Sequence, residues 1–220
     1  MILYDANAPG CNPVTVRHFI LEREGLSLEV EHIDLANLAN REPNYLENVN
    51  SRGEVPALRL DNGTIITETT AICAYLDEVA ASGTSLFGNT PEERAETNMW
   101  VRRVYLEICS PLLTWWRGTE DAVQFYKSHR VPATDAQEWM RGQTHKGLER
   151  LNIDLEGRVF IANGKLTMAD ILLNAFLITL LRKITWADRE DLTNLMSWRN
   201  MMASRPSSKA MLDPLPHKIG

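Results

Sequence analysis

Apolar residues follow two different rhythms along this chain, and the change comes near residue 91. In the first 80 residues, short strand-like runs alternate with stretches of helical spacing. Ile2-Leu3-Tyr4 is a brief β-prone run, followed by a polar loop with Gly and Pro from Asp5 to Asn12. Asn12-Pro13 predicts a helix start, with Asn as N-cap and Pro at the first helical position. Val16, Phe19 and Ile20 then recur at helical spacing, and Gly25 marks the end. Leu28 to Leu35 alternates and predicts a second strand, and a short helix is expected around Tyr45 and Leu46.

The run from Asn50 to Ile72 is the most structured stretch of the sequence. Val55-Pro56 opens an apolar run (Ala57, Leu58, Leu60), and Pro suits the first residue of a strand because it has no N–H to give a ladder. Asn62-Gly63 between two strand-like runs is a hairpin signal, since both residues tolerate the positive φ of a tight turn. After Thr67, Glu68-Thr69-Thr70 precedes a helical spacing of Ala71, Ile72, Tyr75, Leu76 and Val79. A helix N-terminus offers N–H groups and positive dipole to a carboxylate, at Thr69 and Thr70, while Glu68 offers an anion to an ammonium. A cis bond before Pro56 would turn the Val55 backbone outward to pair with an extended peptide. An amino group, a carboxylate and a peptide backbone together outline a γ-glutamyl peptide. The same residues also fit an ordinary hairpin and a capped helix.

Residues 80–91, AASGTSLFGNTP, form the linker candidate, small and polar with Leu86-Phe87 as an apolar anchor. Beyond it the spacing is helical throughout. Trp100, Val104, Ile108, Leu112 and Trp115 recur near i+4, with a drift that a Pro111 kink would produce. Gln137 to Leu155 is a further helix, Ile171 to Leu181 is apolar nearly all round, and a last helix around Leu195 and Trp198 stops at Arg205-Pro206. Thr167-Met168-Ala169-Asp170 reads as a capping box, a device for folding and not for catalysis.

The order of elements predicts a thioredoxin-like α/β domain over residues 1–80, a linker over 81–90 and an all-α domain over 91–220. Composition narrows the function. Lys and Arg number 23 against 29 Asp and Glu, a net charge of -6 that argues against nucleic acid as the main partner. Three distant cysteines, Cys11, Cys73 and Cys109, imply no disulfide framework. The first ten residues lack a signal-peptide pattern and the most apolar stretch is too short to span a bilayer, so a soluble, cytoplasmic protein without membrane contact is expected. Five scattered histidines lack ligand spacing, and no metal is expected.

GEVPAL followed by ETTAI resembles the glutathione-binding half of the cytosolic glutathione transferase family, and TMAD resembles the capping box of its helical domain. The resemblance covers most of the chain. It implies the glutathione transferase fold, glutathione as co-substrate, an electrophilic small molecule as second substrate, and a homodimer. It places glutathione on Glu54, Val55, Pro56, Glu68 and Thr69. Conjugation is the activity it implies first; a glutathione-dependent disulfide reductase or peroxidase, and a binding module without chemistry, are the alternatives.

Such chemistry needs a thiolate, and a free thiol near pKa 8.5 is only a few per cent ionised at neutral pH. The family places a thiol-stabilising donor at the start of the first helix, where this chain has no serine. Asn12 is the first candidate, because its amide can donate to sulfur, and the loop resembles that of nu-class bacterial relatives. Cys11 is the second, since a cysteine at a helix N-terminus is acidified and would favour thiol–disulfide exchange. Tyr4 is better suited to packing. For the second substrate the resemblance points to the first long helices of the helical domain, where Arg103, Trp115 and Trp116 offer an aromatic wall and an anion partner; Met99, Tyr105 and Arg117 lie nearby. Each of these also fits a core or surface helical stripe.

Overall fold

The computed structural model describes residues 1–126 and 129–220. The chain divides into two compact units, Met1–Pro91 with Ser204–Gly220, and Glu92–Ala203.

The first unit is the thioredoxin-like one. Its strands are β1 (Ile2–Ala6), β2 (Leu28–Ile33), β3 (Ala57–Arg59), β4 (Ile65–Thr67) and β5 (Lys218–Ile219), in the sheet order β4-β3-β1-β2-β5. β1 and β2 run parallel, which requires a crossover; helix α1 (Cys11–Glu22) supplies it. A short helix, α2 (Pro43–Asn48), leads toward β3, and α3 (Thr69–Val79) follows β4. The β3–β4 hairpin is antiparallel, and its turn uses the predicted pair in an unexpected way. Only Gly63 has positive φ, at 85°, whereas Asn62 works through its side chain, whose oxygen accepts the Thr64 N–H at 3.0 Å.

The 80–91 segment is anchored as the Leu86-Phe87 pair suggested. Both residues are buried, and Phe87 lies 6.2 Å from Phe19 of α1, centroid to centroid. The carboxylate of Asp77 fixes this segment by accepting the Leu86 N–H at 3.0 Å and pairing with Arg23 at 2.8 Å.

Residues 204–220 do not stay with the helical unit, where sequence order placed them. Helix α10 (Pro206–Ala210) and β5 pack with the sheet unit, burying Met211 and Leu215. β5 pairs antiparallel with β2 through Leu28↔Ile219 and Glu29↔Lys218, so β2 is not left as an open edge.

The second unit is all helical, as expected. Helix α4 (Pro91–Val104) passes through a π-helical turn (Tyr105–Cys109) into α5 (Ser110–Arg117). The expected kink at Pro111 is realised as this wide turn just ahead of the proline. The physical reason is that Pro111 has no N–H for the carbonyl of Glu107 and its ring crowds that carbonyl in an α-helix. Then come α6 (Glu120–Tyr126), α7 (Gln137–Asp154), α8 (Met168–Leu180) and α9 (Thr193–Ser204). α8 is the core helix. Both halves of its Thr167–Asp170 capping box are formed. Asp170 is fully buried, and its other oxygen accepts the Ile161 N–H at 3.0 Å and the Trp198 Nε1–H at 2.9 Å. Burial pushes the Asp170 carboxyl above the usual carboxylate range, against the hydrogen bonds that favour the anion. Among the described residues no helix is long and apolar enough to cross a membrane.

Candidate active site

Strand direction gathers the predicted devices at one end of the sheet. β3 is antiparallel to β1 through Tyr4↔Ala57, and β4 is antiparallel to β3 through Ala57↔Thr67. The end of β1, the start of β3 and the end of β4 therefore lie side by side. From that end the loop after Ala6 leaves for α1, Val55-Pro56 arrives at β3, and Glu68 opens α3.

The Val55–Pro56 bond is cis. The loop before it is tied down from behind: the Tyr45 hydroxyl and the Asn50 amide donate to the Glu54 carbonyl at 2.8 and 2.9 Å, and the Asn40 amide donates to the Gly53 carbonyl at 2.5 Å. The Val55 side chain packs on the cluster of Tyr4, Ile33, Tyr45 and Ala57. Its own N–H and C=O are not engaged by any described residue. A held backbone with an open donor and acceptor is what an added strand requires. Glu54 supports this geometry through its occupied carbonyl. The sequence marks Tyr45 only as a position of a short helix, and it marks neither Asn40 nor Asn50 as an anchor. Asn40 and Asn50 are buried amides within a polar segment, and no periodicity marks them.

Glu68 sits at φ 71°, ψ 121°, a conformation that costs a non-glycine residue about 1–3 kcal/mol and clusters at ligand clamps. Its carbonyl accepts the Ile72 N–H at 3.0 Å, starting α3, while its side chain is exposed. No side chain caps the N-terminus of α3, so the first-turn N–H groups at Thr69 and Thr70 face no capping oxygen.

At α1 the helix starts two residues earlier than expected. Gly10 is the N-cap, which puts Cys11, Asn12 and Pro13 in the first turn. A proline is tolerated anywhere in that turn, because none of its N–H groups has a partner within the helix; Pro13 located the turn but not its register. Relieved of capping, the half-buried Asn12 amide makes no hydrogen bond to a described residue. Cys11 is only 7% exposed. Tyr4 packs, as its position suggested: it is buried, edge-on to Tyr45 at 6.2 Å, and burial raises its phenol pKa.

The candidates for a second substrate do not form one wall. Arg103 stacks over Trp100 at 5.0 Å and lines an open cleft of ≈ 370 Å³ with Glu107, Gly147 and Arg150. Trp115 instead meets Trp186 edge-on at 5.1 Å, and Trp116 meets Tyr126 at 6.1 Å with Lys183 over its ring at 5.1 Å. Twelve helical positions separate Arg103 from Trp115, about 18 Å of rise, too far for one small ligand. The two tryptophans stay candidates together; Arg103 belongs to another surface.

Two family descriptions match this chain: "Glutathione S-transferase, N-terminal domain" over residues 5–84 and "Glutathione S-transferase, C-terminal domain" over residues 114–206. Glutathione S-transferase 2 of Saccharomyces cerevisiae is 32% identical over 97% of this chain and 90% of its own. The crystal structure of Gtt2 from the same yeast superposes with a TM-score of 0.84 at 30% identity, covering 96% of this chain and all of that one. Elongation factor 1-gamma of Carassius auratus is 30% identical over 79% of this chain but 36% of its own length.

Proposed function

This chain belongs to the glutathione S-transferase family, and from that premise we propose that it conjugates glutathione to an electrophilic small molecule. The observation that carries the reading is the convergence of an open Val55 backbone, the strained Glu68 and the uncapped starts of α1 and α3 at one end of the sheet. In this reading the Glu68 carboxylate takes the ammonium of the γ-glutamyl group, and the N–H groups at Thr69 and Thr70 take its carboxylate. Val55 pairs with the cysteinyl main chain as an added strand. The thiol then lies toward the first turn of α1, where the Asn12 amide donates to sulfur and favours the thiolate. The thiolate attacks the electrophilic carbon, a C–S bond forms, and the leaving group departs with the bonding pair. A homodimer is proposed from the family.

Calorimetric titration with glutathione, followed by turnover of a chlorinated nitrobenzene and of hydroxyethyl disulfide, tests this reading. Binding with faster conjugation supports it. Binding with faster disulfide reduction moves the chemistry to thiol exchange, either by glutathione held at Asn12 or through Cys11, and the 7% exposure of Cys11 disfavours the second route. No binding would leave a family member that serves by docking alone.

A further inference from the structure

We propose that the closing segment Ser204–Gly220 is a positioning element of the thiol site, acting through Arg17 as a positioning residue. The proposal rests on the transferase reading, because it concerns the helix that carries Cys11 and Asn12. No side chain caps the N-terminus of that helix, because the cap residue is Gly10, and its first turn holds no acid. Its restraint comes from further along.

Arg17 lies inside α1 with its side chain fully buried, and its guanidinium reaches two separate parts of the chain. Nε donates to Asp5 Oδ2 at 2.7 Å, and Nη2 donates to the carbonyl of Ala6. These are the last two residues of β1, where the chain enters the loop that ends at Cys11. Nη1 donates to the carbonyl of Leu212 in the closing segment at 3.3 Å. One side chain thus fastens the loop's entry, the body of the helix that follows the loop, and the segment behind both. A planar guanidinium with diverging donors suits that task in a way an ammonium does not.

The closing segment grips α1 a second time. Glu22, the last residue of the helix, receives both Arg205 Nε and Nη2 at 2.7 Å and also the Ser207 hydroxyl. The segment is held in turn by the sheet. β5 pairs with β2, the His32 ring donates from Nε2 to the Leu215 carbonyl at 2.9 Å, and the His217 ring donates from Nδ1 to the Val30 carbonyl at 3.1 Å. Hydrogen bonds therefore link β2 to the closing segment, the closing segment to Arg17, and Arg17 to the end of β1, from which residues 7–10 lead directly to the start of α1. A shift of α1 along its axis would carry Asn12 with it, and displacement of a catalytic group by about 1 Å can cost up to 100-fold in rate.

The test uses the full chain with Arg17→Lys, and with Arg205→Gln as the variant that leaves the buried Asp5 pair untouched. Amide hydrogen exchange is read over residues 7–14 and 55–72, and turnover is read as kcat, KM for glutathione and their pH profiles. Expected are faster exchange over 7–14 with 55–72 unchanged, kcat lower by about tenfold in Arg17→Lys and less in Arg205→Gln, and KM for glutathione within about threefold. The limb of the pH profile that reports thiol ionisation should move to higher pH in both. Exchange that rises equally in both segments, or a folded variant with the parent's kcat and pH profile, would overturn the proposal. Because exchange needs no turnover, a parent without activity would sink the transferase reading while the coupling of closing segment to loop is still decided.

Discussion

Gly147 of α7 lies directly against the main-chain carbonyl of Glu107 in the π-helical turn: a β-carbon built on it would stand 2.2 Å from that oxygen and 2.8 Å from its carbon. The carbonyl is the one that Pro111 leaves without an N–H four residues on. The wide turn and the bare helix face are thus one arrangement, in which α7 approaches a backbone group that an ordinary helix would have tied up.

Gly147→Ala is therefore expected to destabilise the protein. Alanine gains about 1 kcal/mol over glycine in a helix interior. Here that gain is set against a clash with backbone, which can move only by shifting a helix, at about 3 kcal/mol. A net loss of about 2 kcal/mol in chemical denaturation is the outcome. Gly142, on the same helix with nothing within 4 Å, is the control. Gly142→Ala should raise stability by about 0.5–1 kcal/mol. Equal effects at the two sites would refute the contact.

Asp170 does more than cap the start of α8. Four donors converge on its carboxylate, from Thr167 N–H and hydroxyl, Ile161 N–H and Trp198 Nε1–H, in a fully buried setting. Loss of a surface cap costs about 1 kcal/mol, but leaving buried donors without an acceptor costs about 1–3 kcal/mol each before relaxation. Asp170→Ala should lower stability by about 3–4 kcal/mol. The glutathione affinity of whatever stays folded, measured well below the midpoint of unfolding, should be unchanged. A loss of affinity at full folding would give Asp170 a part in the site.

What the sequence disclosed was chemistry confined to neighbouring residues. Val55-Pro56, Asn62-Gly63, Glu68-Thr69 and Thr167–Asp170 each act within a few residues, so their spacing is their structure. Ser204–Gly220 was opaque for the opposite reason: its helix has five residues, its strand two, and its partners Glu22, Val30 and His32 lie at the other end of the chain. Arg17 could have been found. It stands between Val14 and Ile20 on a buried helix, and a charge among apolar residues requires a buried partner, which Asp5 on the first strand provides. The resemblance points to Arg103, Trp115 and Trp116 only as residues of the first long helices of the helical domain, and the axial rise along those helices separates the first from the others.

Glu22 makes the closing segment sensitive to acid. Burial pushes its carboxyl up, but the bonds from Arg205 and Ser207 and the Arg205 charge outweigh that, and its pKa lies below the ordinary value of 4.5. A depressed folded-state value means the stabilisation is full above that ordinary value and fades as pH falls through the depressed one. The stability difference between the parent and Glu22→Gln should therefore be constant near neutrality and shrink below pH 4.5. Denaturation midpoints at a series of pH values measure it. A difference that persists unchanged into strong acid would show that the pair is not what Glu22 contributes.

Asn12 and Cys11 are separated by one position and can be told apart by substitution. The Asn12 amide makes no hydrogen bond to a described residue, so Asn12→Ala removes no structural contact of that kind and the midpoint of thermal unfolding should hardly move. If the amide favours the thiolate of bound glutathione, kcat falls by about 10–100-fold, the size of losing one oriented donor, while glutathione affinity stays within about threefold because Val55 and Glu68 are intact. The pH profile should shift upward, since a less stabilised thiolate needs higher pH to form. Cys11→Ala takes a buried sulfur from the first turn and should cost about 1 kcal/mol of stability while conjugation persists. The reverse pattern, in which Cys11→Ala abolishes turnover and Asn12→Ala spares it, would move the reacting sulfur from glutathione's amide-held thiolate to the protein's own cysteine.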